Sequence, residues 1–332
     1  MDITNRNHYN PCFWTAYWNR SYFISKLSNS NKHGLARKQP IYSLNIYSNS
    51  IRSTIPDDVF FEKKQCFAEI NAESAKRFCK KYHPSQYDDF CKYMNEHPET
   101  VYIDFEDILQ NIEKIAYNSL IEAIHIGGTS SITHKGFLSC FLIIQAMRSY
   151  EMMTSMIDLG SSIGMEKFEY FWLLKNAWGN KMILARAVTP IAFSQWTFYR
   201  TSENKFPICD SPIMIGQNSL MAILSPRLLL EMVFDSNLTD KKPIIRKNIS
   251  LNKYKEFQLR VLKNTYKDIV FHDRNVLQNW QKLPEYNHRV KIINDKALRE
   301  QAIHEAAERV IWAINGFNRL PTNFEQLVKP YL

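Results

Sequence analysis

Glycine is scarce in this chain: nine occur among 332 residues, and they form neither GxGxxG nor GxxxxGK[ST]. Folds that cradle nucleotide phosphates in glycine-rich loops depend on such motifs. The six cysteines include no CxxC pair, so neither a zinc ribbon nor a dense disulfide framework is expected. No apolar run approaches the roughly twenty residues that cross a bilayer, and the polar N-terminus lacks a signal peptide's apolar core. We therefore expect a soluble, cytoplasmic protein with reduced thiols and no membrane association.

Charges of both signs are plentiful but segregated along the chain. Residues 1–56 hold seven Lys/Arg against one acid, and residues 241–299 hold fifteen against five. Residues 88–113 carry eight Asp/Glu against one Lys. Basic clusters bind nucleic acids by releasing counterions from the phosphates, although solvated helix faces give a similar pattern. The segregation favours contact with RNA or another nucleic acid through Arg6, Arg20, Lys26, Lys253, Arg260 and Lys263.

Aromatic residues, 13% of the chain, are concentrated near its start. Trp14, Tyr17 and Trp18 follow one another at helical spacing, shortly after Pro11. Rings at this spacing usually pack in a core. Beside basic residues they can also stack on bases, as in proteins that bind single strands. Core packing is the favoured interpretation for Trp14 and Trp18.

Hydrophobic periodicity predicts an α+β fold with a mixed or antiparallel sheet packed by helices. Residues 41–55 alternate apolar and polar side chains, which is typical of a hairpin, and a period near two returns between 183 and 234. Strands are predicted within 196–233. Helices are predicted within 72–120 and at 137–157, 167–178, 253–271 and 294–314.

The predicted organisation is one α+β domain over residues 5–272, with a helical insertion at about 66–120, followed by a helical C-terminal extension over 273–332. The extension has an apolar stripe through Ala302, Ala306 and Val310. Such a stripe must be buried, either on the protein's own core or on a second chain. We favour burial on the protein's own core.

Several short motifs occur in an order that is similar to a known family. They are Asn7-His8-Tyr9-x-Pro11-x-Phe13, Phe141-x-x-x-Gln145-x-x-Arg148, Phe206-x-Ile208-x-Asp210-x-Pro212, Leu224-Ser225-Pro226 and Asn264-Thr265-Tyr266. Together with the 39–64 hairpin, they resemble the DUF4238 family over roughly residues 5–272. The family's usual Thr-Ser before the aspartate is Ile208-Cys209 here. The resemblance implies a shared architecture and a shared site composed of His8, Gln145, Arg148 and Asp210.

The chemistry of these four side chains suits acid/base catalysis on a phosphate. Imidazole transfers protons near neutrality, so His8 is the candidate acid/base, and Asp210 could orient its ring. A buried guanidinium needs an anion beside it, so Arg148 with Gln145 could clamp a phosphate. Structural alternatives stay open: His8 could cap a helix, Asp210 could serve a turn, and Arg148 could pair with an internal carboxylate such as Asp210.

Two other features bear on ligands. The histidines are not accompanied by HExxH or a helix with paired carboxylates, so no metal site is predicted. The glycines of His125-Ile126-Gly127-Gly128-Thr129 could let backbone amides approach a phosphate, although a plain loop between helices explains the segment equally well.

The observations favour a cytoplasmic effector, of toxin or anti-phage type, that acts on RNA or a nucleotide by metal-independent acid/base chemistry without a cofactor. One alternative is an ADP-ribosyl or related transferase that uses NAD on nucleic acid. Another is a non-enzymatic protein that binds nucleic acid or a protein partner such as an antitoxin. Release of nucleotides, consumption of NAD, or neither would distinguish the three hypotheses.

Overall fold

The computed structural model describes residues 6–8, 11–19, 36–63, 67–96, 101–104, 106–162, 166–179, 181–216, 218–234 and 244–316. Within these ranges the helices are α1 Cys12–Thr15, α2 Ala72–Tyr82, α3 Tyr87–Glu96, α4 Glu106–Ile126, α5 Ile132–Met147, α6 Tyr150–Ser162, α7 Lys167–Gly179, α8 Lys181–Ala192, α9 Leu251–Lys263, α10 Arg274–Gln281, α11 Pro284–Asn294 and α12 Lys296–Gly316. The strands are β1 Arg6–His8, β2 Ile41–Asn45, β3 Ser50–Thr54, β4 Phe61–Lys63, β5 Phe67–Ile70, β6 Val101–Asp104, β7 Gln195–Arg200, β8 Ile208–Cys209, β9 Ile213–Ile215, β10 Ser219–Ser225, β11 Leu228–Val233, β12 Ile245–Asn248 and β13 Asp268–Phe271.

The strands form two larger sheets that pack against helices, so the α+β class is confirmed. One sheet has the order β12-β7-β11-β10-β9 and is antiparallel except for the parallel pair of β12 with β7. The other has the order β3-β2-β13-β8 and is antiparallel. Two short pairs, β1 with β4 and β5 with β6, complete the strands of the described residues.

The predicted hairpin is present as β2 and β3. Ile41 pairs with Thr54 and Leu44 pairs with Ile51 across the ladder. Ile41 and Leu44 are fully buried although they lie on opposite faces of β2, so both faces of this strand are covered. The turn includes Asn49 at φ +49°, a conformation that asparagine tolerates better than most residues.

The early aromatic segment belongs to the core. Trp14 and Trp18 have no exposed surface. The indole N–H of Trp14 donates to the Leu224 carbonyl at 3.1 Å, and that of Trp18 donates to the Phe206 carbonyl at 2.6 Å. Buried indoles of this kind satisfy their only donor within the protein. Core packing is therefore confirmed for both rings, and neither is available to stack on a base.

The predicted helix at 253–271 is wrong beyond Lys263. The side chains of Asn264 and Thr265 each donate to a backbone carbonyl four residues earlier, both at 2.7 Å, where the helix ends. The chain then enters the four-stranded sheet as β13, between β2 and β8. All four residues of β13 are buried, and such a short apolar run does not reveal from its period whether it is helix or strand.

Two other boundaries differ from the prediction. The helix predicted at 137–157 is interrupted at Arg148 and Ser149, which separate α5 from α6. The period-two region was predicted from Ile183, yet α8 continues to Ala192 before β7 begins. Both errors arise where two elements are joined by only two residues, because buried apolar side chains continue from one element into the next.

The C-terminal helices pack on the rest of the protein. Helix α10 contacts β2 and β13, and α12 contacts α6 and α11. Trp280 and Tyr286 are buried at 2% and 0% exposure, while Ile303 and Ala306 supply the buried face of α12. Of the predicted apolar stripe, Ala306 is covered by this chain itself, Ala302 is partly exposed, and the side chain of Val310 lies outside the described part; the boundary at 272/273 stays a prediction. None of the helices in the described ranges combines the length and apolar character needed to cross a membrane.

Candidate functional site

Of the four side chains predicted to share a site, His8 can be placed only by its backbone. His8 lies in β1 opposite Phe61 of β4. Its side chain, like that of Arg6 and like the whole of Arg20 and Lys26, lies outside the part of the chain that is described. That the His8 side chain lies close to Asp210 or Arg148 therefore stays a prediction.

Arg148 lies immediately after α5 and forms an ion pair with Glu113 of α4. The Nε2 of Gln145 donates to the same Glu113 oxygen at 3.4 Å. The side chains of Arg148 and Glu113 are only 4% and 14% exposed. The internal pairing of Arg148 is realised, but its carboxylate partner is Glu113 instead of Asp210. Helix pairing brings Glu113 to it, and a guanidinium this buried requires such a partner.

Asp210 lies in a different set of contacts, behind β8. Its carboxylate accepts hydrogen bonds from the backbone N–H of Tyr266, at 3.1 Å to each oxygen, and of Lys267. Burial raises the pKa of Asp210 to about 8, and the neighbouring carboxyls Glu151 and Asp268 add to the rise, while the backbone donors oppose it. This geometry joins the Asp210 loop to the start of β13, as expected of a structural turn.

Two of the predicted phosphate ligands on α9 are committed to ion pairs within the protein. The Nζ of Lys253 lies 2.6 Å from Glu231 and 2.9 Å from Glu256. The Nη2 of Arg260 lies 2.8 Å from Glu256. Lys263, at the end of the same helix, instead lines a cavity. Contact of these α9 residues with a nucleic acid stays a prediction.

A second polar group occupies the opposite end of the hairpin formed by α4 and α5. His134 Nδ1 contacts the Glu122 carboxylate, and the Ser130 hydroxyl lies 3.3 Å from the same nitrogen. Glu122 also accepts a hydrogen bond from the Ser130 backbone N–H. The His134 side chain is 38% exposed. A carboxylate at Nδ1 fixes the ring and leaves Nε2 as the nitrogen for proton transfer. We call Glu122 and His134 the dyad.

Local sequence explains how the dyad forms. Helix α4 ends at Ile126, and Gly127 follows with φ +59°, a conformation that glycine adopts without strain. The Ser131 side chain then accepts from the His134 backbone N–H at 3.1 Å and caps α5. This short connection reverses the chain and sets the first turn of α5 against the last turns of α4.

Two arginines from the five-stranded sheet lie over the Gly127-Gly128 turn. A Cβ on Gly127 would overlap the Arg200 guanidinium, and a Cβ on Gly128 would overlap that of Arg246. Arg246 Nε donates to the Gly127 carbonyl at 2.9 Å. Arg200 and Arg246 are exposed, and within the described ranges neither forms an ion pair with a carboxylate. The parallel pairing of β7 with β12 brings both to this corner.

Sequence reasoning identified the glycines of this corner but missed Glu122 and His134. The two residues are twelve positions apart, a spacing that has no meaning unless α4 and α5 are antiparallel neighbours. The signal that could have found them is the short loop between two helices, since such a loop makes the helices an αα-hairpin. Arg200 and Arg246 lie further along the chain from the dyad, and the pairing of β7 with β12 brings them together.

Metal ligands and thiols are two further kinds of group that can carry chemistry. Within the described ranges, no three His, Cys, Asp or Glu side chains are arranged to hold a metal ion. Cys12, Cys79, Cys91, Cys140 and Cys209 are free thiols. Burial raises the pKa of Cys12 and of Cys140 to about 12, so neither is a reactive thiolate near neutrality.

Comparison of the chain with family models, with curated proteins and with solved structures finds no match in any of the three. The resemblance to the DUF4238 family therefore stays a prediction that rests on the sequence motifs. The function proposed below rests on the geometry of the dyad and its arginines.

Proposed function

We propose that this protein cleaves RNA by general acid/base chemistry, with His134 as the proton-transfer group and Arg200 and Arg246 as phosphate ligands. The observation that carries the proposal is a surface histidine paired with a carboxylate beside two exposed arginines without a described carboxylate partner. Guanidinium groups match the oxygens of a phosphate. Glu122 orients the ring and stabilises the imidazolium that forms during proton transfer.

The reaction consistent with these groups is transesterification at a ribose. His134 Nε2 removes the proton of the 2′-hydroxyl, and the 2′-oxygen attacks the adjacent phosphorus. The bond from phosphorus to the 5′-oxygen breaks, and the proton held by His134 passes to that oxygen. The products are a 2′,3′-cyclic phosphate and a 5′-hydroxyl, with no other reactant. Arg200 and Arg246 stabilise the negative charge that develops on the phosphate oxygens.

A purely structural role would explain part of the same geometry. Glu122, Ser130 and His134 close the connection between α4 and α5, and a capping role requires neither an exposed ring nor nearby arginines. The structural role predicts that loss of His134 changes stability alone. The proposed function predicts that it removes activity from a protein that remains folded.

The experiment compares RNA and DNA oligonucleotides of one sequence, incubated with the protein in excess EDTA. We expect RNA to yield 2′,3′-cyclic phosphate ends and DNA, which lacks the 2′-hydroxyl, to stay intact. His134→Gln should lower the cleavage rate by about a hundredfold or more, the usual contribution of general acid/base catalysis. His304→Gln, at an exposed histidine of α12, is the matched control and should cleave like the wild type.

Equal cleavage by His134→Gln and the wild type, or an absence of RNA cleavage, would overturn the proposal. Consumption of NAD in place of cleavage would favour the transferase alternative. Salt-dependent binding of RNA without cleavage would favour the non-enzymatic alternative. The setting as a toxin or anti-phage effector stays a prediction.

A further inference from the structure

A cavity of about 560 Å³ opens between α9, α11 and α12, formed by elements that do not include the dyad. Most of its wall is apolar, from Leu259, Leu262, Pro284, Ile292 and Ala302. Leu259 is 50% exposed, so part of this apolar wall is open to solvent. Lys263, Arg289 and Arg309 add positive charge to the same wall. Apolar surface with a few convergent charges is typical of a small-molecule site.

Arg289 is the buried member of this group, with 5% exposure. Its Nε donates to the Thr265 carbonyl at 2.9 Å, and its guanidinium lies over the Tyr266 ring at 4.6 Å. These contacts hold the guanidinium in one orientation. Its Nη2, however, has no hydrogen-bond partner among the described residues. A buried guanidinium nitrogen without an acceptor is costly, so an anion in the cavity would stabilise it.

The three cations are close enough to affect one another. The Arg309 guanidinium lowers the pKa of Lys263, and burial and Arg289 act in the same direction. Glu305, which also lines the cavity, opposes the shift but does not reverse it. Glu285 is the other acid of the lining and is exposed. The net effect at Lys263 is a positive potential that a bound anion would relieve.

Two buried carboxyls belong to the surrounding core, and one of them, Glu151, interacts electrostatically with Arg289. Burial raises the pKa of Glu151, although Ser211 donates a hydrogen bond to this carboxyl. Burial also raises the pKa of Asp210 to about 8. In both carboxyls burial therefore favours the protonated, uncharged form, while Arg289 opposes the rise in the pKa of Glu151.

We propose that this cavity binds a phosphate monoester joined to an apolar or aromatic body, the chemical class of a mononucleotide. The phosphate contacts Arg289 Nη2 with Lys263 and Arg309 around it, since a dianion matches several cations better than a carboxylate does. The body of the ligand covers Leu259 and Leu262. The volume is suited to a ligand of this size. The proposal is independent of RNA cleavage, because no residue of the dyad lines the cavity.

Calorimetric titration of the full chain with adenosine 5′-monophosphate, adenosine and inorganic phosphate tests the site. We expect the monophosphate to bind at least about tenfold more tightly than either fragment, the equivalent of one charged hydrogen bond. Replacing Arg289 could unfold the protein, so the test uses the peripheral cations: Lys263→Gln with Arg309→Gln should weaken monophosphate binding about tenfold or more. The matched control is Lys255→Gln with Arg274→Gln, at exposed residues outside the cavity, and should retain the affinity.

The outcomes separate this site from the dyad. His134→Gln should bind the monophosphate like the wild type, so failure of RNA cleavage would leave this proposal intact. If adenosine binds as tightly as its monophosphate, the assignment of a phosphate site is overturned. If inorganic phosphate binds as tightly as the monophosphate, the proposed contact of the ligand body with the apolar wall is overturned. Equal affinity of the cavity variant and its charge-matched control would overturn the location.

Discussion

The two ends of the hairpin formed by α4 and α5 hold similar pairs in opposite surroundings. At one end Glu113 binds Arg148, with side chains that are 14% and 4% exposed. At the other end Glu122 binds His134, with exposures of 16% and 38%. In the first pair the two charges are enclosed and contact each other. In the second pair His134 remains accessible to a ligand, as the proposed acid/base role requires.

The side chains next to the two pairs also differ in their exposure and in their partners. At the buried end Gln145 donates to the glutamate that already binds Arg148. At the exposed end Arg200 and Arg246 lie on the glycine turn, with no carboxylate partner among the described residues. The polar groups of the buried end therefore bind one another within the protein, whereas the arginines of the exposed end could donate hydrogen bonds to a phosphate.

The largest stability difference should come from removing the glutamate at each end in turn. Glu113→Ala leaves a buried guanidinium without its carboxylate and should cost about 3 kcal/mol or more of unfolding free energy. Glu122→Ala, at a partly exposed pair, should cost about 1 kcal/mol or less. Urea unfolding followed by tryptophan fluorescence measures both. Equal losses of unfolding free energy in the two variants would contradict the distinction between the buried end and the exposed end of the hairpin.

The hydrophobic double substitution Glu113→Leu with Arg148→Met sharpens the structural interpretation of the buried end. Because a buried ion pair can often be replaced by apolar residues at little cost, most of the stability lost in Glu113→Ala should return. The same urea experiment provides the measurement. A double variant that is less stable than Glu113→Ala would show that the pair has a role beyond charge compensation.

The arginines should contribute to RNA affinity in a way that depends on salt. Arg200→Ala and Arg246→Ala should each reduce the slope of log affinity against log salt by about one, the value for one lost phosphate contact. Fluorescence anisotropy on a labelled RNA, with His134→Gln to prevent turnover, measures the slope. Arg274→Ala, at an exposed arginine on α10, is the control. If it changes the salt slope equally, the effect comes from net charge and not from phosphate contacts of Arg200 and Arg246.

A further effect, which depends on pH, concerns the buried carboxyl of Asp210, whose hydrogen bonds are donated by the backbone. The pKa of Asp210, near 4 in an unfolded chain, is raised to about 8 in the folded protein. Because the folded state binds this proton more tightly than the unfolded state does, protonation of Asp210 stabilises the fold. This contribution is complete below about pH 4 and is lost as the pH rises to about 8. The melting temperature should therefore fall between pH 5 and pH 9, with Glu151 acting in the same direction. Asp210→Asn should flatten this fall, and an unchanged profile would contradict the assignment.

Local patterns predicted the parts of the fold that depend on neighbouring residues. The hairpin at 41–55 follows from alternation, and the burial of Trp14 and Trp18 follows from ring spacing. The strand β13 was predicted as helix because its apolar run takes its conformation from β2 and β8, which are far away in the sequence.

The site was harder to predict because its contacts depend on how the elements pack. Arg148 was assigned a possible partner in Asp210, yet the packing of α4 supplies Glu113, thirty-five positions earlier. The dyad depends on the same packing of α4 against α5, which was not predicted from the sequence, so neither pair was identified. The His125–Thr129 segment was recognised as a possible phosphate neighbour only because its glycines are visible in the sequence.

The most direct test of the account measures RNA cleavage and thermal stability together for Glu113→Ala and His134→Gln. Rates are taken per folded molecule, below the melting temperature of the less stable variant. We predict that Glu113→Ala melts at a lower temperature but cleaves like the wild type, and that His134→Gln melts like the wild type but loses about a hundredfold or more in rate. Full cleavage by folded His134→Gln would contradict the central claim that the exposed end of the hairpin performs the chemistry.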